Sequence, residues 1–217
     1  MNKLTIFLIA TTFIICSCQK QEQTMEMQTM HPQTPQTASV ISDKDAVLSN
    51  IYARTSVRQF SPQQVSKDDL TTLVKAGMAA PSGMNLQPWQ FIVVTGRAEL
   101  DKLAEKLQYA QMLKQANAAI VVCGDQNITG GDNPKYCFWM EDCSAATENI
   151  LLAAQALGLG GVWTAAHPYK ERMDWVTTCL GLPKNILPLC VIPIGYPSGD
   201  IQPKDKFDES KLHWGKW

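Results

Sequence analysis

The chain predicts an α+β domain in which helices are layered around a mixed β-sheet. Three observations predict it. Helix-period and strand-like runs alternate along residues 41–217, but irregularly, without a steady β-α-β rhythm. Ala118–Cys123 (AAIVVC) is apolar throughout, as suits a central strand covered on both faces. Tyr136–Leu157 is a helix-length run with apolar residues on more than one side, among them Ile150, Leu151, Ala154 and Leu157. Such a helix must be buried against several partners. The G-x-G-x-x-G turn of a dinucleotide-binding unit is absent.

Each element has a local reason. Ser42 can cap a helix running to Ala53, with an apolar stripe of Val47, Leu48 and Ile51. Ser66 can cap a second helix, whose first-turn acids Asp68 and Asp69 suit the helix dipole and which Pro81 ends. Leu70, Leu73, Val74 and Met78 supply its buried face. Gln90–Thr95 reads as a strand, Arg97–Leu113 as an amphipathic helix, and Asn127–Lys135 as a loop. Gly158 can end the long helix in a left-handed conformation. Gly160–Ala165 is the next strand, and Pro168 starts another helix, a position proline favours. Leu187–Ile194 is the last strand. Its Pro188 and Pro193 suggest an edge or a bulge.

The N-terminus has a different character. Lys3 precedes an apolar run, Leu4–Ile15, interrupted only by three threonines. That run is shorter than the ~20 residues that span a bilayer. It has the form of a secretory signal ending in Ile15-Cys16-Ser17-Cys18, a bacterial lipobox with cleavage before Cys18. Residues 1–17 are therefore expected to be a lipoprotein signal peptide, with a lipid on Cys18. Gln19–Val40 is rich in Gln, Thr, Met and Pro and cannot bury enough apolar surface to order itself. Residues 18–40 read as a flexible tether, and Met25, Met27, Met30 and His31 within it as spacer residues rather than metal ligands. Gln19 stands where an aspartate would signal inner-membrane retention. The expected address is thus the bacterial cell envelope, at the outer membrane. Residues 41–217 are one domain's length.

Composition narrows the function. Formal net charge is −1, so no basic excess points to nucleic acid. Of seven cysteines, Cys123, Cys137, Cys143, Cys179 and Cys190 lie in the domain, with no CxxC or metal-type spacing. Cys123, Cys179 and Cys190 read as small core residues. A Cys137–Cys143 bridge is disfavoured, because residues six apart on one helix point in different directions. No Ser-His-Asp or zinc signature is present, and His167 and His213 stand apart from carboxylates. Glu141, Asp142 and Glu148 read as the polar face of the long helix.

Two segments carry the chemistry. In Ala53–Phe60 (ARTSVRQF), an extended chain puts Arg54, Ser56 and Arg58 on one face. Two guanidiniums and a hydroxyl there suit a phosphate, because arginine offers bidentate charge-assisted hydrogen bonds. Pro81–Phe91 (PSGMNLQPWQF) combines turn formers with polar groups, as a loop approaching a flat ligand would.

The order R-x-S-x-R plus Phe60, then PS-x-x-N-x-QPW at Pro81–Trp89, then a late glycine-rich strand resembles the nitroreductase family of FMN-dependent oxidoreductases. The resemblance covers Ile51 to the C-terminus. It implies an intertwined homodimer with a mixed central sheet, binding FMN between subunits. It implies that Arg54, Thr55, Ser56 and Arg58 hold the phosphate, with Lys204 and Lys206 of Pro203–Lys206 as a second basic cluster. Lys206 stands where the commoner form has arginine, and Asp205 dilutes the local field. Pro81, Ser82, Gly83, Met84 and Asn85 match the segment that the opposite subunit contributes to ring and ribityl. Trp163, Thr164, Ala165 and Ala166 match the segment on the other flavin face, with the amides of Ala165 and Ala166 at the N5–O4 edge. The implied activity is transfer of reducing equivalents from NAD(P)H through FMN to nitroaromatic or quinone acceptors in turn, with no catalytic acid or base from the protein. Dehalogenation, flavin breakdown, or FMN binding without turnover are the alternatives on the same fold. Asn127–Lys135 and Gln108–Lys114 are the expected variable regions around the cavity.

Overall fold

The computed structural model describes residues 42–129 and 137–217. The expected signal peptide, the lipidated Cys18, the tether with its methionines and His31, and most of the Asn127–Lys135 loop lie outside the described residues. Ile41–Trp217 clusters as one compact unit.

The helices are α1 (Asp43–Ala53), α2 (Lys67–Met78), α3 (Arg97–Lys106), α4 (Trp139–Ala156) and α5 (Lys170–Leu180). The strands are β1 (Trp89–Val94), β2 (Ala118–Asp125), β3 (Gly160–Gly161), β4 (Thr164–Ala165) and β5 (Ile186–Gly195). Both expected serine caps are made. Ser42 accepts from the Asp45 N–H at 3.2 Å, and Ser66 from the Asp69 N–H at 3.0 Å.

The sheet runs β1-β2-β5-β3, with β4 also paired to β5. Its named strands pair antiparallel, and its parallel component is an isolated bridge between Ser56 and Gly161. Helices cover both faces. Ala118, Ile120 and Val122 of β2 pack with α2 and α4, against Leu70, Leu73 and Ile150. The alternate residues Ala119, Val121 and Cys123 pack with α3 and α5, against Leu100, Leu103 and Val176. Period-two alternation with both faces apolar is what a central strand requires.

Several expectations change in detail. The Arg97–Leu113 helix is interrupted: α3 ends at Lys106, and Gln108–Lys114 continues as 3-10 turns. The Gln111 side-chain amide donates to the Ala104 carbonyl at 2.6 Å, taking an acceptor that a continuing helix would use. Pro168 does not open α5. It lies in a turn closed by the Tyr169 N–H on the Ala166 carbonyl at 3.0 Å, and the helix starts at Lys170.

The strand with two prolines is central, not an edge, and both prolines leave a mark on it. The register against β2 slips between Val122 and Cys123, which face Cys190 and Pro188 and leave Leu189 as a bulge. On the other side, the constant register of β3 and β4 along β5 sets Val162 opposite Pro193. Proline has no N–H to give, so the expected Gly160–Ala165 strand splits there into β3 and β4.

Two readings of helix faces are corrected. The apolar stripe of α1 exists, yet α1 has no buried residue within one chain. Asp142 does not belong to the polar face of α4; it is buried. The cysteines are free thiols, with Cys123, Cys143 and Cys190 buried and Cys179 only half-buried. Burial pushes the Cys123 and Cys190 thiols up to about 12, and Cys143 upward as well. These thiols stay protonated at neutral pH and supply no thiolate nucleophile.

Gly160 is a tight point of the packing beside β3. A Cβ there would lie 2.4 Å from Val57 Cγ2 and 2.6 Å from Val57 Cβ. Gly160→Ala is expected to lower stability by about 1–3 kcal/mol through overpacking. Denaturant unfolding checks this, and a second change, Val57→Ala, should recover part of the loss.

Candidate functional site

The site is built where the chain leaves α1. Arg54 ends the helix with φ −60° and ψ 125°, its N–H still bonded to the Asn50 carbonyl at 3.1 Å. The next residues run along the outer side of β3. The Val57 N–H donates to the Gly161 carbonyl at 3.0 Å, and Val57 buries its side chain over Gly160. Two further bonds staple this segment to the chain beyond β5: Ser61 N–H to Tyr196 at 2.9 Å, and Ser198 N–H to Gln59 at 3.0 Å. The C-terminal tail therefore returns beside the R-x-S-x-R element.

Between them lies a cavity of about 540 Å³. Arg54, Thr55, Ser56 and Arg58 line one wall, and Asp200, Ile201, Gln202, Lys204 and Lys206 the other. Residues about 150 apart in sequence thus place four cations around one space. Asp200 is the acid in that wall; Asp205 instead faces a neighbouring cavity of about 760 Å³ with Ile51, Tyr52 and Phe207. Arg54 is not a free cation, because its Nε lies 3.3 Å from a Glu148 carboxylate oxygen.

Arg58 also lines a second open cavity, of about 590 Å³, with Val162, Trp163, Thr164, Ala165, Tyr109, Tyr169 and Arg172. Arg58 thus lines both the cationic and the aromatic space. The strand geometry decides which groups face the second space. The Ala166 N–H donates to the Leu189 carbonyl at 3.0 Å, so Ala166, buried, is withdrawn as an edge donor. Antiparallel alternation then turns the Ala165 amide away from β5, leaving it available to a ligand. The Leu189 bulge matters here, since its carbonyl also takes the His167 N–H at 3.0 Å. The Thr164 hydroxyl is spent on the Val191 carbonyl at 2.6 Å. His167 packs edge-on against Trp139 at 5.0 Å, and burial holds its imidazole below its usual range, hence neutral at pH 7.

Pro81, Ser82, Gly83, Met84 and Asn85 lie elsewhere, against the first turn of α4, and line neither cavity. Their loop is tightly specified. The Gly83 N–H donates to Asp142 Oδ1 at 2.7 Å, and the Ser82 hydroxyl accepts from the Gln87 N–H at 3.0 Å. Met84, Asn85 and Gln87 take left-handed φ values of 53°, 56° and 52°. Such conformations cost ~1–2 kcal/mol per residue, so the bonds that hold them have work to do. A Cβ on Gly83 would sit 2.8 Å from the Phe138 ring, so glycine allows the loop to seat on α4.

Tyr109, Tyr169 and Arg172 were not foreseen individually, although Tyr109 lies in the expected variable region Gln108–Lys114. Among the described residues no group of three or more His, Cys, Asp or Glu could hold a metal ion. None of the described helices is long and apolar enough to cross a membrane.

A model of the nitroreductase family matches residues 51–111 and 102–196. The chain belongs to the nitroreductase family. A protein of Archaeoglobus fulgidus, provisionally named NADH dehydrogenase/NAD(P)H nitroreductase, is 44% identical over 173 residues, covering 78% of this chain and 98% of its own length. A crystal structure from Bacteroides thetaiotaomicron, under the same provisional name, is 50% identical with a TM-score of 0.75, covering 79% of this chain and 98% of its own. An FMN-dependent nitroreductase from Clostridium difficile is 28% identical with a TM-score of 0.71, covering 78% and 99%. The family model covers residues 51–196, so the R-x-S-x-R element lies inside the matched region and Lys204 and Lys206 lie beyond it.

Within this nitroreductase domain, Asp142 gives a pH test. Burial, the largest cause, and the nearby Glu141 raise its carboxyl above 3.8, while the Gly83 N–H opposes them. The native state then holds its proton at higher pH than the unfolded chain does. Wild-type stability therefore falls as pH rises from 3.8 through the raised value. Asp142→Asn keeps an acceptor for Gly83 and removes the charge. Its stability advantage over wild type should be absent near pH 3.8, grow as pH rises, and level off. Chemical denaturation across that range measures it.

Proposed function

We propose that this chain is an FMN-dependent oxidoreductase that takes reducing equivalents from NAD(P)H and delivers them to nitroaromatic or quinone-type acceptors. The observation that carries the proposal is the four-cation cavity, which shares Arg58 with an aromatic-walled one. That pair of spaces suits a ligand with a phosphate at one end and a flat ring at the other. The names of its nitroreductase relatives support the same reading.

FMN, when bound, would supply the redox chemistry that links oxidation of the nicotinamide to reduction of the acceptor. The protein's part is binding and orientation. Arg58, with the terminal nitrogens of Arg54, would grip the phosphate by charge-assisted bonds; Lys204 and Lys206 would add point charges. Ser56 and Thr55 offer hydroxyls to the same space. The Ala165 N–H, turned away from β5, would be a hydrogen-bond donor to the edge of the ring. Trp163 and the Val162 backbone wall the aromatic space. No side chain is assigned as catalytic acid or base.

The proposed working unit is a homodimer. Val47, Ile51 and Tyr52 of α1 are 59%, 44% and 70% exposed, and Phe207 and Trp214 of the tail 75% and 85%. So much exposed large apolar surface marks an interaction face. A partner copy would bring its Pro81–Asn85 loop, which touches neither cavity within one chain, to the flavin. The proposed setting is the cell envelope, lipid-anchored at Cys18; the N-terminal sequence supports it.

Purified protein should carry a yellow flavin spectrum, and NADH or NADPH should bleach it anaerobically. Arg58→Ala should weaken FMN binding by about 10–100-fold, the range for losing a hydrogen bond to a charged group. Lys206→Ala should cost less, because lysine lacks the bidentate fork. A dimeric, colourless protein that ignores added FMN would count against the proposal.

A further inference from the structure

The aromatic cavity contains a charge that flavin binding does not use. Its wall holds two guanidiniums, Arg58 and Arg172, three aromatic rings, and no carboxylate. Arg58 belongs to the junction with the phosphate space. Arg172 stands at the far side, in the first turn of α5.

Arg172 is held as a fixed cation. Its guanidinium carbon lies 3.8 Å from the Tyr169 ring centroid and 5.1 Å from that of Tyr109. Its Nη1 donates to the Ala165 carbonyl at 3.3 Å. Among the described residues no carboxylate forms an ion pair with it. Stacking on rings fixes the guanidinium plane without consuming its in-plane N–H groups, so donors remain for an incoming ligand. The Ala165 contact places this cation on the residue whose amide faces the same space.

We propose that this cavity selects aromatic acceptors bearing an anionic substituent, a carboxylate or sulfonate, and that Arg172 is the selecting residue. This rests on the oxidoreductase reading above and names its substrate class. With the flavin ring on the Val162–Ala165 side of the cavity, Tyr109 and Tyr169 would flank the ring of the acceptor, and Arg172 would take its anion as a fork. A wall with no acid imposes no repulsion on such a ligand, whereas an acidic wall would.

The test uses equilibrium binding as well as turnover. Isothermal titration of the dimer with 4-nitrobenzoate and with its neutral analogue 4-nitrobenzyl alcohol, without reductant, reads the preference directly. Wild type should favour the carboxylate by about tenfold or more, the scale of one hydrogen-bonded charge. Arg172→Gln should reduce that ratio towards one, and Arg172→Lys should keep part of it. Ratios of KM in NAD(P)H-driven turnover should move in parallel. Equal affinities in wild type, or a ratio that Arg172→Gln leaves intact, overturn the proposal. So does a substitution that instead changes the preference for NADP+ over NAD+, since the anion read would then be the phosphate of the donor. Absence of flavin or turnover with the carboxylate preference intact defeats the oxidoreductase reading and not the anion subsite.

Discussion

Everything at the site depends on one backbone contact, the Val57 amide on the Gly161 carbonyl. It seats the R-x-S-x-R element along the sheet and forces Val57 down over Gly160. Only a residue without a side chain tolerates that approach. With Val57 facing inward, the flanking arginines and Ser56 are left to the solvent side. The glycine pair in the late strand therefore helps to build the four-cation cavity although neither glycine lines it. The same strand then passes Trp163 and Ala165 to the neighbouring cavity, so one short edge positions both halves.

Charge is distributed unevenly along this edge. Glu148 occupies the Nε side of Arg54 and restricts how a phosphate meets it. Asp200 adds one carboxylate to the wall that carries Lys204 and Lys206, where it accepts from the Gln202 side-chain amide. The aromatic cavity, in contrast, is lined by arginines without an acid. Desolvation by stacked rings makes such a cation count for more than one in open water. A cavity carrying acids among its cations beside one whose lining has none is the physical contrast on which the proposed division between a bound phosphate and a charged acceptor rests.

Local chemistry was legible in the sequence. The serine caps of α1 and α2 depend on a few neighbouring residues and were readable from Ser42 and Ser66. The family resemblance rested on contiguous motifs, so the nitroreductase fold and the pairing of Arg54–Arg58 with Lys204 and Lys206 were accessible too. What depended on distant pairing was not. Pro188 and Pro193 announced a broken ladder, but the place of β5 at the centre of the sheet is set by β2 on one side and β3 with β4 on the other. Asp142 looked like surface because its burial comes from a loop 59 positions away. The Ala166 amide looked free because the carbonyl that takes it belongs to a bulge at Leu189. The Tyr109–Arg172–Tyr169 stack joins segments more than 60 positions apart and has no local signature.

The central claim is that this edge builds a site for a phosphate joined to a flat ring. Comparing dissociation constants of FMN and riboflavin tests it most directly, because the two differ only by the phosphate. The account predicts that FMN binds the protein at least about 100-fold more tightly, with the gap narrowing as salt screens the four cations. Equal affinity for the two, unchanged by salt, would contradict it.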